Sequence, residues 1–173
     1  VAFDCGARAR VGTAGVARSM NTECTSQRAA QPSRLSERRI GYVGHDIPIE
    51  LILAAGATPT GIHGRADQET PRADRYVEST FSPASRSIAE QWLNGELDDL
   101  EAVIFSRSDD SAQRLYYYLC ELQRRGLCRG PTPLMYDIAG CDRPSSLAHT
   151  SASTRHLAGE LGTSADALTR AIQ

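Results

Sequence analysis

Polar and charged side chains follow the apolar segments that the sequence predicts as strands, and Ser82 and Asp109 stand where two predicted helices begin. In open parallel sheets, ligands bind beyond the carboxyl ends of the strands. Backbone N–H groups at helix N-termini attract phosphate and carboxylate groups there. We therefore expect Ser82 and the residues that follow the strands to converge on one rim that binds a small anionic ligand. These residues are His45, His63, Arg107, Asp109, Asp110, Cys141, Asp142 and Arg143.

Most of these residues also have a simpler structural interpretation. Ser82 and Asp109 are good helix N-caps, and Asp110 suits the positive end of a helix dipole. His45, His63 and Cys141 are residue types that commonly occur in loops without a chemical role. Arg107 is the strongest binding candidate, because a planar guanidinium directly after a buried strand can hold a phosphate or thioester substrate. A surface ion pair is an equal alternative for Arg107.

Strands and helices that alternate along the chain must position these residues. The stretch "GYVGHDIPIELILAAGATPTGIHG" predicts a strand, a helix capped by Asp46 that ends at Gly56, and a second strand. A helix, a strand "LEAVIFS", a helix, a strand "TPLMYDI" and two closing helices follow, and Thr163 with Asp166 resembles a capping box. This order predicts the α/β class, with an open, mostly parallel sheet of about four strands and helices on both faces.

The helix "SDDSAQRLYYYLCELQRRG" is the clearest element of the pattern. Leu115, Leu119 and Leu122 share one face, and Gly126 ends the helix. The run Tyr116–Tyr118 spans most of the circumference, so at least one tyrosine is expected to be exposed, in a pocket or a subunit interface. Core packing of one or two of these rings is the simpler alternative.

Composition narrows the function classes. The 173 residues carry a net charge of −2, which gives no support to nucleic acid or an anionic membrane as partner, and we expect neither. All 19 basic residues are arginine, so a mechanism that needs a lysine of this chain is excluded. Five cysteines without a CxxC spacing favour a reduced, cytoplasmic protein, and no apolar run is long enough to span a membrane. Residues 1–37 lack periodicity and are expected to be a disordered or mis-assigned leader, before one α/β domain over residues 38–173.

Separate blocks of the sequence resemble the family of 2-hydroxyacyl-CoA dehydratases, which includes the 2-hydroxyglutaryl-CoA dehydratase D-component and the benzoyl-CoA reductase subunits. The first block contains Gly41-Tyr42, Pro48-Ile49-Glu50 and Ala54-Ala55-Gly56. The second is "SPASRSIAEQWLNGELDDLEAVIFSRSDDSAQRLYYYL", and the closing "TSADALTRAIQ" is similar to the helix that ends the first domain in the family. The resemblance covers about residues 40–173 and implies the N-terminal domain of such a subunit.

Members of this family bind a [4Fe–4S] cluster and a CoA thioester, and they work with a related subunit and an activator ATPase. The resemblance places cysteines of the family at Gly44, Ser82 and Asp109, none of which is a thiol here. Iron–sulfur clusters are held mainly by thiolates, so a serine and a carboxylate are poor replacements. We therefore expect no metal site and no cofactor in this chain, and a cluster only in a partner if the family chemistry survives there.

Three interpretations of function remain open. In the first, the chain is a dehydratase-like subunit or domain without its own cluster that acts on or binds an acyl-CoA thioester. The candidate binding residues are His45, Ser82, Arg107, Asp109 and Asp110. Alternatively, the chain is a binding or structural homologue without catalysis, or a truncated gene product. A hydrolytic triad of Ser82, a histidine and Asp109 is disfavoured, because the sequence has no GxSxG motif.

Overall fold

The computed structural model describes residues 38–172, so the predicted leader over residues 1–37 lies outside the described residues. Within this described part of the chain, four strands form one sheet in the order β2-β1-β3-β4, and every neighbouring pair is parallel. The predicted open parallel sheet is thereby confirmed. The strands are β1 (Arg39–Val43), β2 (Thr58–Gly61), β3 (Ala102–Ser106) and β4 (Thr132–Tyr136).

Five α-helices and a short 3-10 turn (Ala73–Arg75) connect and cover the strands within residues 38–172. Two of the helices lie on one face of the sheet, and three lie on the other face. The first pair is α2 (Pro83–Leu93) and α3 (Asp110–Arg124). The second group is α1 (Ile49–Ala54), α4 (Pro144–Leu161) and α5 (Ala165–Ile172). Among the described residues, no helix combines the length and apolar character needed to cross a bilayer.

Strand β3 shows how the sequence divides the core between the two faces. Its five residues are all buried, as expected for a central strand of a covered parallel sheet. Because side chains alternate along a strand, Val103 and Phe105 pack towards α2 and α3, whereas Ala102 and Ile104 pack towards α1 and α4. Trp92 of α2 lies 6.1 Å from the ring of Phe105 and fills the larger core.

Local capping determines where α2 and α3 begin. The Ser82 Oγ accepts a hydrogen bond of 3.2 Å from the backbone N–H of Ser85. The Asp109 Oδ1 accepts bonds from the N–H groups of Ser111 and Ala112, at 2.9 and 3.3 Å. Both predicted N-caps are confirmed, because each is satisfied within its own first turn.

Two other predicted caps are wrong. Helix α1 begins after Pro48 without a side-chain cap, since Asp46 instead accepts a bond of 2.5 Å from the Ser108 hydroxyl. Helix α5 is capped by Ser164, which accepts from the N–H of Ala167, whereas the Thr163 hydroxyl donates to the distant Leu51 carbonyl. In both cases the side chain that the local sequence predicts as a cap forms its hydrogen bond with a residue far away in the chain.

Candidate functional site

A cavity of about 590 Å³ opens beyond the carboxyl ends of β1 and β2. Its walls are the loops that follow these two strands and the first turns of α2 and α3. His45, His63, Ser82 and Asp109 all line it, together with Gly44. The sheet and the two capped helices therefore bring together four of the residues predicted for the rim.

The other predicted residues do not line this cavity. Arg107 instead donates a hydrogen bond of 2.6 Å to the carboxylate of Asp137, which His149 also contacts at 2.9 Å. This is the surface ion pair that sequence alone left as the alternative. Asp110 occupies the first turn of α3, where its charge faces the positive helix end. The segment Cys141–Arg143 likewise contributes nothing to the lining.

The backbone at Gly44 is specific to glycine. Its φ angle is +106°, in a region that residues with side chains rarely adopt. A Cβ at this position would lie 2.6 Å from the Cβ of Ser106, which is far inside van der Waals contact. The close approach of β1 to β3 at this edge therefore leaves no room for a side chain on Gly44.

Hydroxyl groups join the loop after β1 to the loop after β3. The hydroxyls of Ser106 and Ser108 share a hydrogen bond of 2.7 Å, and the backbone N–H of Ser108 donates to the Ser106 Oγ at 3.2 Å. Ser108 then donates to Asp46, next to His45. Ser106 is fully buried. These bonds connect the first wall of the cavity to the loop that precedes α3.

A second set of contacts holds the segment that precedes Ser82, and we call it the Glu78 clamp, formed by Glu78, Thr80, Phe81, Arg114 and Tyr118. The Tyr118 hydroxyl donates a bond of 2.6 Å to Glu78, and the Arg114 guanidinium lies 4.3 Å from the centre of the Phe81 ring. The pKa of Glu78 is lowered, because Tyr118 and Thr80 donate hydrogen bonds to its carboxylate and the Arg114 charge lies nearby. The clamp fixes the entry to α2 against α3.

Sequence reasoning missed several cavity residues. A Cβ at Gly61 would lie 3.0 Å from the His63 Nε2 and 3.2 Å from the Tyr42 hydroxyl, so both side chains lie over Gly61. Tyr42 and Ser111 also line the cavity. At Gly64 a Cβ would meet the Ala84 carbonyl oxygen at 1.9 Å, so the second wall packs directly on α2. The Gly-x-His-Gly spacing after β2 is the sequence signal for this close contact.

The architecture defines the class of protein, an open parallel α/β domain with a polar cavity at the carboxyl edge of its sheet. Residues 45–166 match the family model of the 2-hydroxyglutaryl-CoA dehydratase D-component. That match covers most of the chain, and the protein belongs to this family.

A curated relative is similar over a shorter stretch. It is the beta subunit of (R)-2-hydroxyglutaryl-CoA dehydratase from Acidaminococcus fermentans, with 31% identity over 68 residues. The aligned stretch is 39% of this chain and 18% of that subunit, so most of the relative has no counterpart in the alignment.

The cavity allows a test of whether an iron–sulfur cluster fits. The positions at which the resemblance places cysteines, Gly44, Ser82 and Asp109, all line this one cavity. Gly44 offers no side chain, and Ser82 and Asp109 use their oxygens to cap their own helices. Thiolates are the main ligands of such a cluster. The lining that the structure describes therefore does not fit the cluster.

The cysteines that the structure describes do not supply these ligands. Cys120 and Cys128 are half-buried and Cys141 is exposed, and none of the three lines the cavity. Burial raises the pKa of the Cys120 and Cys128 thiols, which disfavours the thiolate form that binds metal. Within residues 38–172, no group of three or more histidine, cysteine or acidic side chains is placed to hold a metal ion.

Proposed function

We propose that this chain is an acyl-CoA-binding subunit or domain of the 2-hydroxyacyl-CoA dehydratase type that holds no iron–sulfur cluster of its own. The observation that carries the proposal is the convergence of Gly44, Ser82 and Asp109 on one cavity whose described lining contains no thiol. Family membership supports the scaffold and the thioester. The donor set argues against the cluster.

The walls of the cavity suit the acyl end of a thioester. Ile47, Ile62 and Leu115 give it an apolar side, and the His45 and His63 rings give it a polar side. Neither ring forms a hydrogen bond within residues 38–172, so both are free to bind a ligand carbonyl or carboxylate. Sites for small molecules commonly combine an apolar wall with a few polar groups in this way.

We further propose that a related subunit supplies the cluster if catalysis occurs. The name of the curated relative identifies it as one subunit of a larger enzyme, which supports such a pairing. A candidate partner is a paralogous subunit that has cysteines at the three positions, served by an activator ATPase.

Two measurements test the proposal. Anaerobically purified chain is expected to contain no stoichiometric iron or sulfide, and an acyl-pantetheine thioester is expected to raise its melting temperature. A matched variant, His63→Ala, should reduce that shift, whereas His156→Ala on the exposed side of α4 should not. Stoichiometric iron and sulfide, or a melting temperature that the thioester leaves unchanged, would contradict the proposal.

A further inference from the structure

A second groove lies along the carboxyl-terminal half of α3. Its volume is about 410 Å³, and its lining includes Tyr76 from the end of the 3-10 turn and Tyr117 from α3. These two residues are 38% and 55% exposed, so each ring presents apolar surface to solvent. The predicted exposure of at least one tyrosine in the run is confirmed. Two exposed aromatic rings in one groove offer a flat surface for a ligand ring.

The same groove contains two arginines, Arg75 and Arg125, and the Arg125 charge acts on the nearby Glu121 carboxylate without a direct hydrogen bond. Neither guanidinium forms a hydrogen bond or ion pair within residues 38–172. The one acid of the lining, Glu121, is held by two hydrogen bonds of 2.7 Å from Arg124. The groove therefore has a net positive charge beside its aromatic rings.

We propose that this groove binds a nucleoside diphosphate, with its base stacked on Tyr117, the more exposed of the two rings, and its phosphates held by Arg75 and Arg125. Planar guanidiniums bind phosphate oxygens through paired hydrogen bonds. Aromatic side chains stack on any of the bases, because every base has a flat π-face. The groove is within the size range of small-ligand pockets and is far smaller than a stable protein interface. The carbonyl end of α3 weakly opposes an anion, and two full positive charges outweigh that partial charge.

The position of the groove connects it to the cavity. Ser111 lines the cavity, and Tyr118, Leu122 and Arg125 line the groove. These residues are spaced by seven, four and three, so they lie on one stripe of α3. Ser111 and Arg125 are separated by roughly 20 Å along the helix axis. A CoA thioester carries its acyl group and its adenosine diphosphate at opposite ends of an extended arm.

The nucleoside diphosphate that binds in the groove can thus belong to a free nucleotide or to the nucleotide end of CoA. The second source rests on the proposed function, because it requires the acyl end in the cavity. Binding of a free nucleotide does not depend on the proposed function.

Calorimetric titration of the full chain with ADP, CoA and pantetheine tests the inference. ADP and CoA are expected to bind, and Arg75→Ala or Arg125→Ala should each weaken both about tenfold, since each change removes charge-assisted bonds to phosphate. Pantetheine has no nucleotide, so its affinity should be the same in all variants. Tyr117→Phe should retain ADP binding and Tyr117→Ala should weaken it, because the ring and not its hydroxyl stacks.

Arg155→Ala is the matched control, because Arg155 is an exposed arginine on α4 outside the groove. It should leave ADP binding unchanged. If ADP fails to bind, or binds the Arg75→Ala/Arg125→Ala double variant as well as the original chain, the inference is wrong. If the affinity for CoA exceeds the affinity for ADP, the ligand is CoA. If the two affinities are equal, the ligand is a free nucleotide.

The two proposals fail separately. Arginine-dependent ADP binding without any effect of an acyl-pantetheine thioester would contradict the proposed function and support the groove. A thioester effect that depends on His63, without arginine-dependent ADP binding, would contradict the groove and support the proposed function.

Discussion

The two ends of the sheet are built in different ways. At the amino end, Arg38 donates two hydrogen bonds to Glu101, at 2.6 and 2.8 Å, and two more to the carbonyls of Ala55 and Leu161. One side chain thereby ties β1 to the start of β3 and to the ends of α1 and α4. Arg39 forms an ion pair with Asp99 beside it.

At the carboxyl end, the bonds join loops to each other and leave a cavity open. The Ser106–Ser108–Asp46 bonds and the Glu78 clamp hold the walls, while the His45 and His63 rings form no hydrogen bonds within residues 38–172. The described contacts at the amino end therefore join strands and helices to each other, whereas the carboxyl end, where open parallel sheets bind ligands, keeps two histidine rings without hydrogen bonds. Substitutions at each end of the sheet test whether the two ends differ in this way.

The largest effect is expected at Gly44, where the carboxyl end does carry a structural constraint. Gly44→Ala should lower the free energy of unfolding by roughly 2–5 kcal/mol, because it adds backbone strain to a clash with Ser106. Gly56→Ala is the matched control, since its φ is +70° but no atom of residues 38–172 lies within 4 Å of the added Cβ. Gly56→Ala should lower the free energy of unfolding by about 1 kcal/mol. Urea unfolding followed by Trp92 fluorescence measures both, and equal costs would refute the role of the Ser106 contact.

The next largest effect is expected at the amino end. Arg38→Ala should cost about 1–2 kcal/mol, because it removes four hydrogen bonds from a partly exposed side chain whose partners can rehydrate. Arg38→Lys should recover part of this loss, since it keeps the charge but not the forked geometry. Thermal unfolding compares the two variants, and the comparison of the two ends fails if Arg38→Ala is as stable as the original chain.

Stability at the amino end should also depend on pH. The hydrogen bonds from Arg38 lower the pKa of Glu101 below its ordinary value of 4.5. A carboxyl group with a lowered folded-state pKa stabilises the fold above its unfolded pKa, and this contribution is lost as the pH falls through the folded-state value. The melting temperature should therefore fall below about pH 4.5, and Glu101→Gln should show a smaller fall. An identical pH profile in Glu101→Gln would show that this ion pair does not contribute.

The smallest effect on stability is expected for the cavity histidines. His45→Ala and His63→Ala should each change the free energy of unfolding by less than about 0.5 kcal/mol, because both side chains are exposed and form no hydrogen bonds. Ligand affinity should respond much more than stability does. A loss of stability as large as that of Arg38→Ala would remove the distinction between the two ends.

The sequence predicts much of the fold and part of the candidate site. The strand and helix order and the caps at Ser82 and Asp109 depend on neighbours in the chain, so local pattern is enough to find them. Arg107 and Asp110 also follow β3, yet they do not line the cavity. Their position depends on the direction of the loop after β3 and on Asp137, which lies 30 residues beyond Arg107. Local pattern contains no information about that partner.

Residue type and spacing were enough to predict the alternation of strands and helices and the resemblance to the family, because both depend on local pattern. The tertiary structure alone decided which loops meet. It placed Ser106 against Gly44, gave Asp46 to Ser108, and set Tyr42 beside His63. These contacts join segments that are far apart in the chain, and their distances depend on how closely the strands of the folded sheet approach each other.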